Sequence, residues 1–237
     1  MTSAIGIAIP TYERAKITPC SFAAVHNDPR VMSVAVVDDA STAASYNNLQ
    51  DALKVFPKVV VSKNVENLGC YLNKRESVRR SLAKWVAVFD SDNVMTTEYL
   101  DALFAQQWHD DVLYMPVWAQ PSLDYRQYEG LVLTRENVAE YLELPLFMAA
   151  LNTGNFFVCK SSYMRVFDDS VKPFAADSMY FAYCWLAFGG RLLLTPGLHY
   201  AHLVHAGYWM QHAHQSTVFA DVLAHKMRRQ EWSMSSV

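Results

Sequence analysis

Apolar, β-branched runs alternate with helix-like patterns along the first 95 residues of the chain. Four such runs predict strands, at residues 4–9, 33–37, 58–62 and 85–89. Pro10 is expected to end the first strand, because proline cannot donate a ladder hydrogen bond. Residues 45–56 and 70–83 carry apolar positions at helical spacing. Strands that alternate with helices predict an α/β fold, a mostly parallel sheet with helices on both faces.

The second half of the chain has a less regular pattern. Further strands are expected at residues 112–116, 155–159 and 191–195, the last of which ends the series. Helices are expected at residues 134–142, 176–188 and 216–232. Neither a repeat nor a linker interrupts the pattern, so we expect a single domain over residues 1–237.

Acidic residues follow two of the predicted strands. Asp38 and Asp39 come after the second strand, and Asp90-Ser91-Asp92 comes directly after the fourth. In parallel sheets, ligands bind beyond the carboxyl ends of the strands. Two carboxylates one residue apart can reach a divalent cation, and their oxygen ligands suit Mg²⁺ or Mn²⁺. A solvated turn is the alternative interpretation of this short motif.

Composition narrows the class of protein. The chain is 52% hydrophobic and 18% charged with a net charge of −3, which is typical of a globular protein and gives no reason to expect a nucleic-acid partner. Its apolar runs are too short for a membrane span, and its start lacks the pattern of a signal peptide. The four cysteines are scattered, which favours reduced thiols over disulfides or a zinc site. We therefore expect a soluble, cytoplasmic protein.

Four segments at the predicted strand ends carry a family resemblance. They read Ile9-Pro10-Thr11-Tyr12-Glu13-Arg14, Val36-Val37-Asp38-Asp39-Ala40-Ser41, Asn64-Val65-Glu66-Asn67-Leu68-Gly69 and Phe89-Asp90-Ser91-Asp92-Asn93. In this order the segments resemble the family 2 glycosyltransferases, enzymes with the Rossmann-like GT-A fold. Two departures stand out: Asn93 replaces a third acidic residue, and Lys74-Arg75 replaces the usual Arg-Asn.

The resemblance implies a nucleotide-sugar donor, with a UDP-sugar expected because uridine is the commonest base in the family. It implies a nucleotide-binding half over residues 1–95 and an acceptor-binding half, with the C-terminal helix, over residues 96–237. The residues expected to hold the donor nucleotide are Pro10, Thr11, Tyr12, Arg14, Asp39, Asn67, Lys74, Asp90 and Ser91. Asp92 is expected to bind the Mn²⁺ or Mg²⁺ that bridges the diphosphate and stabilises the leaving group.

The resemblance also implies a general base and a histidine ligand. Asp177 matches the position of the carboxylate that removes the acceptor proton in an inverting transfer. The alternative for Asp177 is a helix cap, and the two roles are compatible. The expected metal ligand is His205 or, after it, His202.

The expected activity is the inverting, non-processive transfer of one sugar to a hydroxyl of a glycan or another acceptor. The QxxRW motif of the processive synthases is absent from the sequence. A phosphohydrolase of the haloacid-dehalogenase type, with Asp90, Asp92 and a later pair at Asp168-Asp169, is one alternative. A nucleotidyltransferase would need a glycine-rich loop after the first strand, and residues 10–14 contain no glycine. A binding module without turnover is the third alternative.

Overall fold

The computed structural model of the protein describes residues 4–203 and 208–233. The strands are β1 (Ile5–Thr11), β2 (Val31–Asp38), β3 (Val59–Lys63), β4 (Trp85–Val88), β5 (Asn93–Val94), β6 (Val112–Met115), β7 (Trp118–Gln120), β8 (Leu123–Asp124), β9 (Val132–Leu133), β10 (Phe157–Cys159), β11 (Arg191–Leu194) and β12 (His199–His202). The α-helices are α1 (Ala43–Leu53), α2 (Cys70–Arg80), α3 (Thr97–Phe104), α4 (Phe147–Leu151), α5 (Lys160–Val166), α6 (Asp177–Ala187) and α7 (Tyr208–Arg228).

The central sheet has the strand order β3-β2-β1-β4-β10-β6-β11-β9. Its first four strands run parallel to one another, as do β6 and β11. Strand β10 is antiparallel to both of its neighbours, and β9 is antiparallel to β11. The predicted α/β class with a mostly parallel sheet is therefore confirmed.

Two hydrophobic clusters pack against opposite faces of this sheet. On β1, Ile7 and Ile9 belong to one cluster and Ala8 to the other, because successive side chains of a strand point to opposite faces. Helices α1 and α3 contribute to the cluster of Ile7, whereas α2, α6 and α7 contribute to the cluster of Ala8. The sheet is thus covered on both sides, as alternating strands and helices predict.

The first strand runs further than its sequence predicts. Strand β1 continues through Pro10 to Thr11, and Pro10 is aligned with Val37 of β2. Pairing of β1 with β4 ends at Ala8, while Thr11 still accepts a hydrogen bond from the chain after β2. Since alternate residues bond to opposite neighbours, the N–H that Pro10 lacks falls on the side where pairing has ended. Proline therefore costs this strand no ladder bond.

The predicted helix at residues 134–142 is wrong. Only a 3-10 turn forms, at Val138–Tyr141. The side chain of Asn137 accepts a hydrogen bond from the Thr134 backbone N–H, and the hydroxyl of Thr134 accepts one from that of Glu136. These side-chain contacts fix the turn that leads into the 3-10 segment.

A second, small sheet with the order β5-β12-β7-β8 was not predicted. Its strands have two to four residues, which is too short for a recognisable alternation. Strand β12 follows β11, so the expectation that the strand at 191–195 is the last one is also wrong. Helix α7 begins at Tyr208, before the predicted start at residue 216, and has a non-helical residue at His212. None of the described helices is long and apolar enough to cross a bilayer.

Candidate active site

The carboxyl ends of β1, β2 and β4 meet at one edge of the central sheet. Thr11 is aligned with Asp38, and the backbone N–H of Asp39 donates to the carbonyl of Thr11 over 2.8 Å. Strand β4 lies on the other side of β1 and leads directly into the segment 89–92. Asp39 and Asp92 therefore follow strands that flank β1 at the same edge, as the pattern of parallel strands predicts.

Asp39 organises the loop that enters α2. The carboxylate is 2% exposed and accepts hydrogen bonds from the backbone N–H groups of Leu68 at 2.9 Å and Gly69 at 2.8 Å. It also accepts one from the side-chain amide of Asn64 at 2.9 Å. Gly69 begins α2 with a φ of +83°, and its helix has no side-chain cap of its own. Asp39 thus supplies the negative charge that favours the N-terminus of this helix.

The side chain of Asn67 also stabilises this loop through two hydrogen bonds. Its side-chain amide donates to the carbonyl of Asp39 over 3.1 Å, and its side-chain oxygen accepts from the N–H of Gly69 over 3.1 Å. Asp39 and Asn67, both expected to hold the donor nucleotide, therefore lie together at the start of α2. Their contact with a nucleotide stays a prediction.

The loop after β1 presents two of its predicted donor-binding side chains to solvent. Pro10 and Thr11 are buried, and the Thr11 hydroxyl is 2.8 Å from that of Thr18. Tyr12 is 50% exposed, and Arg14 is partly exposed. Pro10 and Thr11 can shape this loop, whereas Tyr12 and Arg14 can reach a ligand.

Arg14 forms an ion pair with Asp92. The guanidinium Nη1 lies 2.8 Å from Asp92 Oδ2, and the two side chains are 29% and 17% exposed. This pair joins the loop after β1 to the segment after β4. The residue expected to bind a cation is therefore in contact with a positively charged side chain.

Lys74 lies between two carboxylates in the interior of the site. Its Nζ is 2.8 Å from Asp177 Oδ2 and 3.2 Å from Asp90 Oδ1. Burial alone would lower the pKa of Lys74, but the charges of Asp177 and Asp90 outweigh it and raise this pKa well above its usual range. Desolvation raises the pKa of Asp90, with Asp92 and Asp177 adding to the rise and Lys74 opposing it. Lys74 is thus held in its charged form by the two acids.

Asp177 is the first residue of α6, and its side chain does not cap the helix. The N-cap position belongs to Ala176, and the described residues show no side-chain cap hydrogen bond there. The carboxylate is instead directed to Lys74. In the structure the Asp177 carboxylate therefore forms an ion pair and does not make the helix-capping hydrogen bond of the alternative interpretation.

The segment before Asp177 is fixed by three other parts of the chain. The N–H of Ala175 donates to the Ser216 hydroxyl of α7 over 3.0 Å, and the carbonyl of Ala175 accepts from Asn152 over 3.0 Å. The thiol of Cys70 lies 3.7 Å from the carbonyl of Phe174, and burial raises the pKa of this thiol to about 12, so that it stays a donor. The candidate base thus follows a segment that is held in place by contacts from α2, α7 and Asn152.

Gly154 and Asn155 belong to the site, although sequence reasoning assigned them no role. The Asn155 side-chain oxygen accepts from the Asp90 N–H over 2.7 Å. A Cβ added to Gly154 would lie 2.7 Å from Asp90 Oδ2, so a side chain there would displace that carboxylate. The Gly-Asn dipeptide, a frequent turn signal next to a predicted strand, is the feature that could have revealed them.

Left-handed backbone recurs in the loops of this site. Non-glycine residues with positive φ are found there at Glu13, Ala40, Asn155 and Phe174. Such residues cost conformational energy and persist where their surroundings fix them, as is common at functional sites.

Ser91 precedes the candidate metal ligand Asp92, and His202 contacts Asn93, which follows it. His202 on β12 is aligned with Asn93 of β5, and its Nδ1 is 2.8 Å from Asn93 Oδ1. This contact would orient the ring and leave Nε2 as the nitrogen that could bind a metal. The Ser91 hydroxyl is buried, without a hydrogen-bond partner among the described residues. His205 lies outside the described residues.

The described residues supply only some of the ligands that a bound metal ion needs. Carboxylate and imidazole groups suit Mn²⁺, and Asp92 and His202 supply one of each. Within residues 4–203 and 208–233, no three His, Cys, Asp or Glu side chains form a cluster that could hold a metal. This partial donor set matches cations that are bound by one or two protein ligands together with substrate phosphates.

Asp168 and Asp169, the second acidic pair that the phosphohydrolase alternative needs, contact other residues. The Tyr180 hydroxyl donates to Asp168 over 2.6 Å, and Arg75 forms an ion pair with Asp169. Arg75 thus lies against this pair, whereas its neighbour Lys74 lies in the site.

The sequence matches the profile of a known family. The sequence profile described as "Glycosyl transferase family 2" matches residues 6–169. This stretch includes β1, β2 and β4 and the loops in which Arg14, Asp39 and Asp92 lie. No curated protein matched the chain.

Solved structures share the fold at low sequence identity. S. aureus TarS 1-349 in complex with UDP-GlcNAc has a TM-score of 0.68 and 16% identity over 93% of this chain and 65% of that chain. Mannosyltransferase PcManGT from Pyrobaculum calidifontis, in complex with GDP-Man and Mn²⁺, has a TM-score of 0.67 and 16% identity over 95% of this chain and 65% of that chain. GalNAc-T7 with UDP, GalNAc and Mn²⁺ has a TM-score of 0.63 and 13% identity over 87% of this chain and 44% of that chain. The chain spans less than two thirds of each of these three proteins.

Proposed function

The chain belongs to glycosyl transferase family 2, and we propose that it transfers one sugar from a UDP-sugar donor to a hydroxyl of a glycan or another acceptor. The observation that carries this proposal is the convergence of two ion-pair groups at one sheet edge. Arg14 with Asp92 forms the first group, and Lys74 with Asp90 and Asp177 forms the second. The first group offers charges suited to a diphosphate, and the second offers a carboxylate suited to proton removal.

The donor nucleotide is proposed to lie along the loops after β1 and β2. Tyr12 exposes half of its surface there and can pack against a base, while Arg14 can form charge-assisted hydrogen bonds with phosphate oxygens. Asp39 and Asn67 hold the entry of α2 beneath this position. UDP is the nucleotide of TarS 1-349 and GalNAc-T7 in the solved structures, and GDP is that of PcManGT. We propose uridine for this chain on its resemblance to the family.

Asp92 and His202 are proposed to hold Mn²⁺ or Mg²⁺ together with the donor phosphates, with His205 as the other candidate histidine. When bound, the cation stabilises the negative charge of the leaving nucleoside diphosphate. Asn93 orients the His202 ring, and Arg14 supplies a further positive charge near Asp92.

Asp177 is proposed as the general base of an inverting transfer. Its carboxylate would accept the proton of the acceptor hydroxyl as that oxygen attacks the anomeric carbon. The ion pair with Lys74 holds this carboxylate in place at the start of α6. Transfer of a single sugar per encounter is proposed because the sequence lacks the motif of the processive synthases. A cytoplasmic location is proposed because the four cysteines are unpaired.

A thermal-shift screen tests this proposal first. UDP, GDP, UDP-GlcNAc, UDP-glucose and GDP-mannose are added to the protein with and without Mn²⁺, followed by an assay of UDP or GDP release. We expect stabilisation by UDP and its sugar conjugates that requires Mn²⁺, and slow release of UDP. Binding without release would support the non-catalytic module. Hydrolysis of p-nitrophenyl phosphate, with no nucleotide binding, would support the phosphohydrolase instead.

A further inference from the structure

We propose that Lys74 is a positioning residue, which holds the Asp177 carboxylate in place for transfer and ties it to Asp90 on the donor side. The inference rests on the proposed function and deepens it. It differs from the contact with the donor nucleotide that the family resemblance predicts for Lys74.

The geometry places Lys74 between three separate elements. Lys74 lies within α2, Asp177 begins α6, and Asp90 follows β4. One ammonium group contacts both carboxylates, at 2.8 Å and 3.2 Å. An ammonium group has several donors and no acceptor, so it can bridge two acids at once. Lys74 therefore links the strand end on the donor side to the helix that carries the candidate base.

Burial argues against a role for Lys74 at the surface. The residue is only 8% exposed, and lysine is almost never so buried unless it is paired. Taking an ammonium group out of water is costly, and the two carboxylates offset that cost. Little of this side chain is left to contact a ligand, whereas Tyr12 and Arg14 reach solvent at the same edge.

Asp177 needs such a partner because its own helix does not hold its carboxylate. Asp90 and Asp177 carry like charges around the same ammonium group, so removing Lys74 would leave them to repel each other. The Asp177 carboxylate would then move away from the position that the ion pair gives it. A displaced carboxylate cannot remove the proton of an acceptor.

The first measurement compares turnover with binding. In Lys74→Met, we expect the kcat of UDP release from UDP-GlcNAc or UDP-glucose with Mn²⁺ to fall about 100-fold, the usual effect of misplacing a reacting group by about 1 Å. The Kd of UDP with Mn²⁺ should change less than about threefold, because the Arg14 and Asp92 region is intact. Lys74→Arg keeps the positive charge, so its kcat should be at least about tenfold higher than that of Lys74→Met. Arg79→Met removes an exposed charge from the same helix and serves as the matched control, with an unchanged rate.

The second measurement is a double-mutant cycle with Asp177→Asn. If Lys74 acts through Asp177, Lys74→Met should lower the rate by less than about threefold in the Asp177→Asn background. Equal losses in the wild-type and Asp177→Asn backgrounds would overturn the proposal, as would a Lys74→Met defect confined to UDP binding. Lys74→Gln replaces Lys74→Met in the same cycle if circular dichroism shows that the methionine variant does not fold. Failure of the wild-type protein to release UDP or GDP from any donor would overturn the proposed function itself, which distinguishes the two failures.

Discussion

Two ion-pair groups at the same sheet edge differ in their exposure to water. The Arg14 and Asp92 side chains are 29% and 17% exposed, whereas those of Lys74 and Asp177 are 10% exposed each. Asp90, the third member of the Lys74 group, is 28% exposed, so the contrast lies between the Arg14–Asp92 pair and the Lys74–Asp177 pair. An exposed pair is weak and exchanges partners readily, since solvent can replace either group. A buried pair keeps its geometry, because separating the charges leaves each of them without solvation. The exposed pair is therefore suited to binding a diphosphate or a metal, and the buried group is suited to fixing a base.

The largest difference between the two groups is expected when each is mutated and the rate of UDP release is measured. Asp177→Asn removes the proposed base and should lower UDP release by about 10²- to 10⁴-fold, the usual contribution of a general base. Calorimetry should find that UDP still binds with Mn²⁺, because the Arg14 and Asp92 group is unchanged. Asp169→Asn, at an acid that pairs with Arg75, is the control and should retain the rate. An active Asp177→Asn protein would transfer the role of base to another residue.

The next effect is on stability. Lys74→Met leaves the buried carboxylate of Asp177 and the partly exposed one of Asp90 without their cation and should lower the free energy of unfolding by about 3–5 kcal/mol. Arg14→Gln breaks the more exposed pair and should cost about 0.2–1 kcal/mol. Chemical denaturation of both variants measures the difference directly.

A second substitution sharpens this prediction. Lys74→Met combined with Asp177→Asn removes one of the stranded charges and should be more stable than Lys74→Met alone. Equal losses in Lys74→Met and Arg14→Gln would show that the two groups do not differ in energy, and would contradict the comparison.

The exposed group is expected to control metal-dependent binding. Asp92→Ala should weaken UDP binding in the presence of Mn²⁺ by at least about tenfold, since a carboxylate ligand is lost. Binding in the absence of metal should change little, and circular dichroism should report an intact fold. Asp51→Ala, at an exposed acid of α1, is the matched control. Unchanged affinity of Asp92→Ala for UDP with Mn²⁺ would remove Asp92 from the metal site.

Much of the arrangement of residues at the carboxyl edge of the central sheet could be predicted from the sequence alone. Apolar runs mark the strands, and parallel strands bring their carboxyl ends to one edge, so Asp39 and Asp92 were expected to lie close together. The identity of the family could be inferred in the same way, from four segments in order. These inferences succeed because they depend on local patterns and on one rule of topology.

The partners of Lys74 could not be predicted, because its ion pairs join residues that are distant in the chain. A local signal of its burial was nevertheless present. Lys74 follows Tyr71 by three positions and precedes Val78 by four, so the three share one face of α2, and Tyr71 and Val78 are buried. A lysine within an apolar stripe predicts a buried charge with an acidic partner. The short strands β5 and β12 offer no such signal, and the contact of His202 with Asn93 depends on them.

The smallest predicted effect concerns the competition for Asp92. Arg14 contacts one oxygen of the carboxylate that we propose as a metal ligand, so its positive charge competes with a cation that binds there. The pair is partly exposed, and its loss should release about 0.2–1 kcal/mol for metal binding. Arg14→Gln should therefore bind Mn²⁺ alone more tightly, by about 1.5- to 5-fold. Electron paramagnetic resonance of free Mn²⁺ during titration of the nucleotide-free protein measures this change.

The same substitution should act in the opposite direction on the nucleotide. Arg14 can donate charge-assisted hydrogen bonds to phosphate oxygens once it leaves Asp92, so Arg14→Gln should weaken UDP binding while it strengthens Mn²⁺ binding. Arg126→Gln, which disrupts an exposed pair with Asp124, should alter neither affinity. A parallel loss of both affinities would indicate that Arg14 only supports the loop. Opposite changes would show that the exposed pair exchanges its partners, which is the property that distinguishes it from the buried group around Lys74.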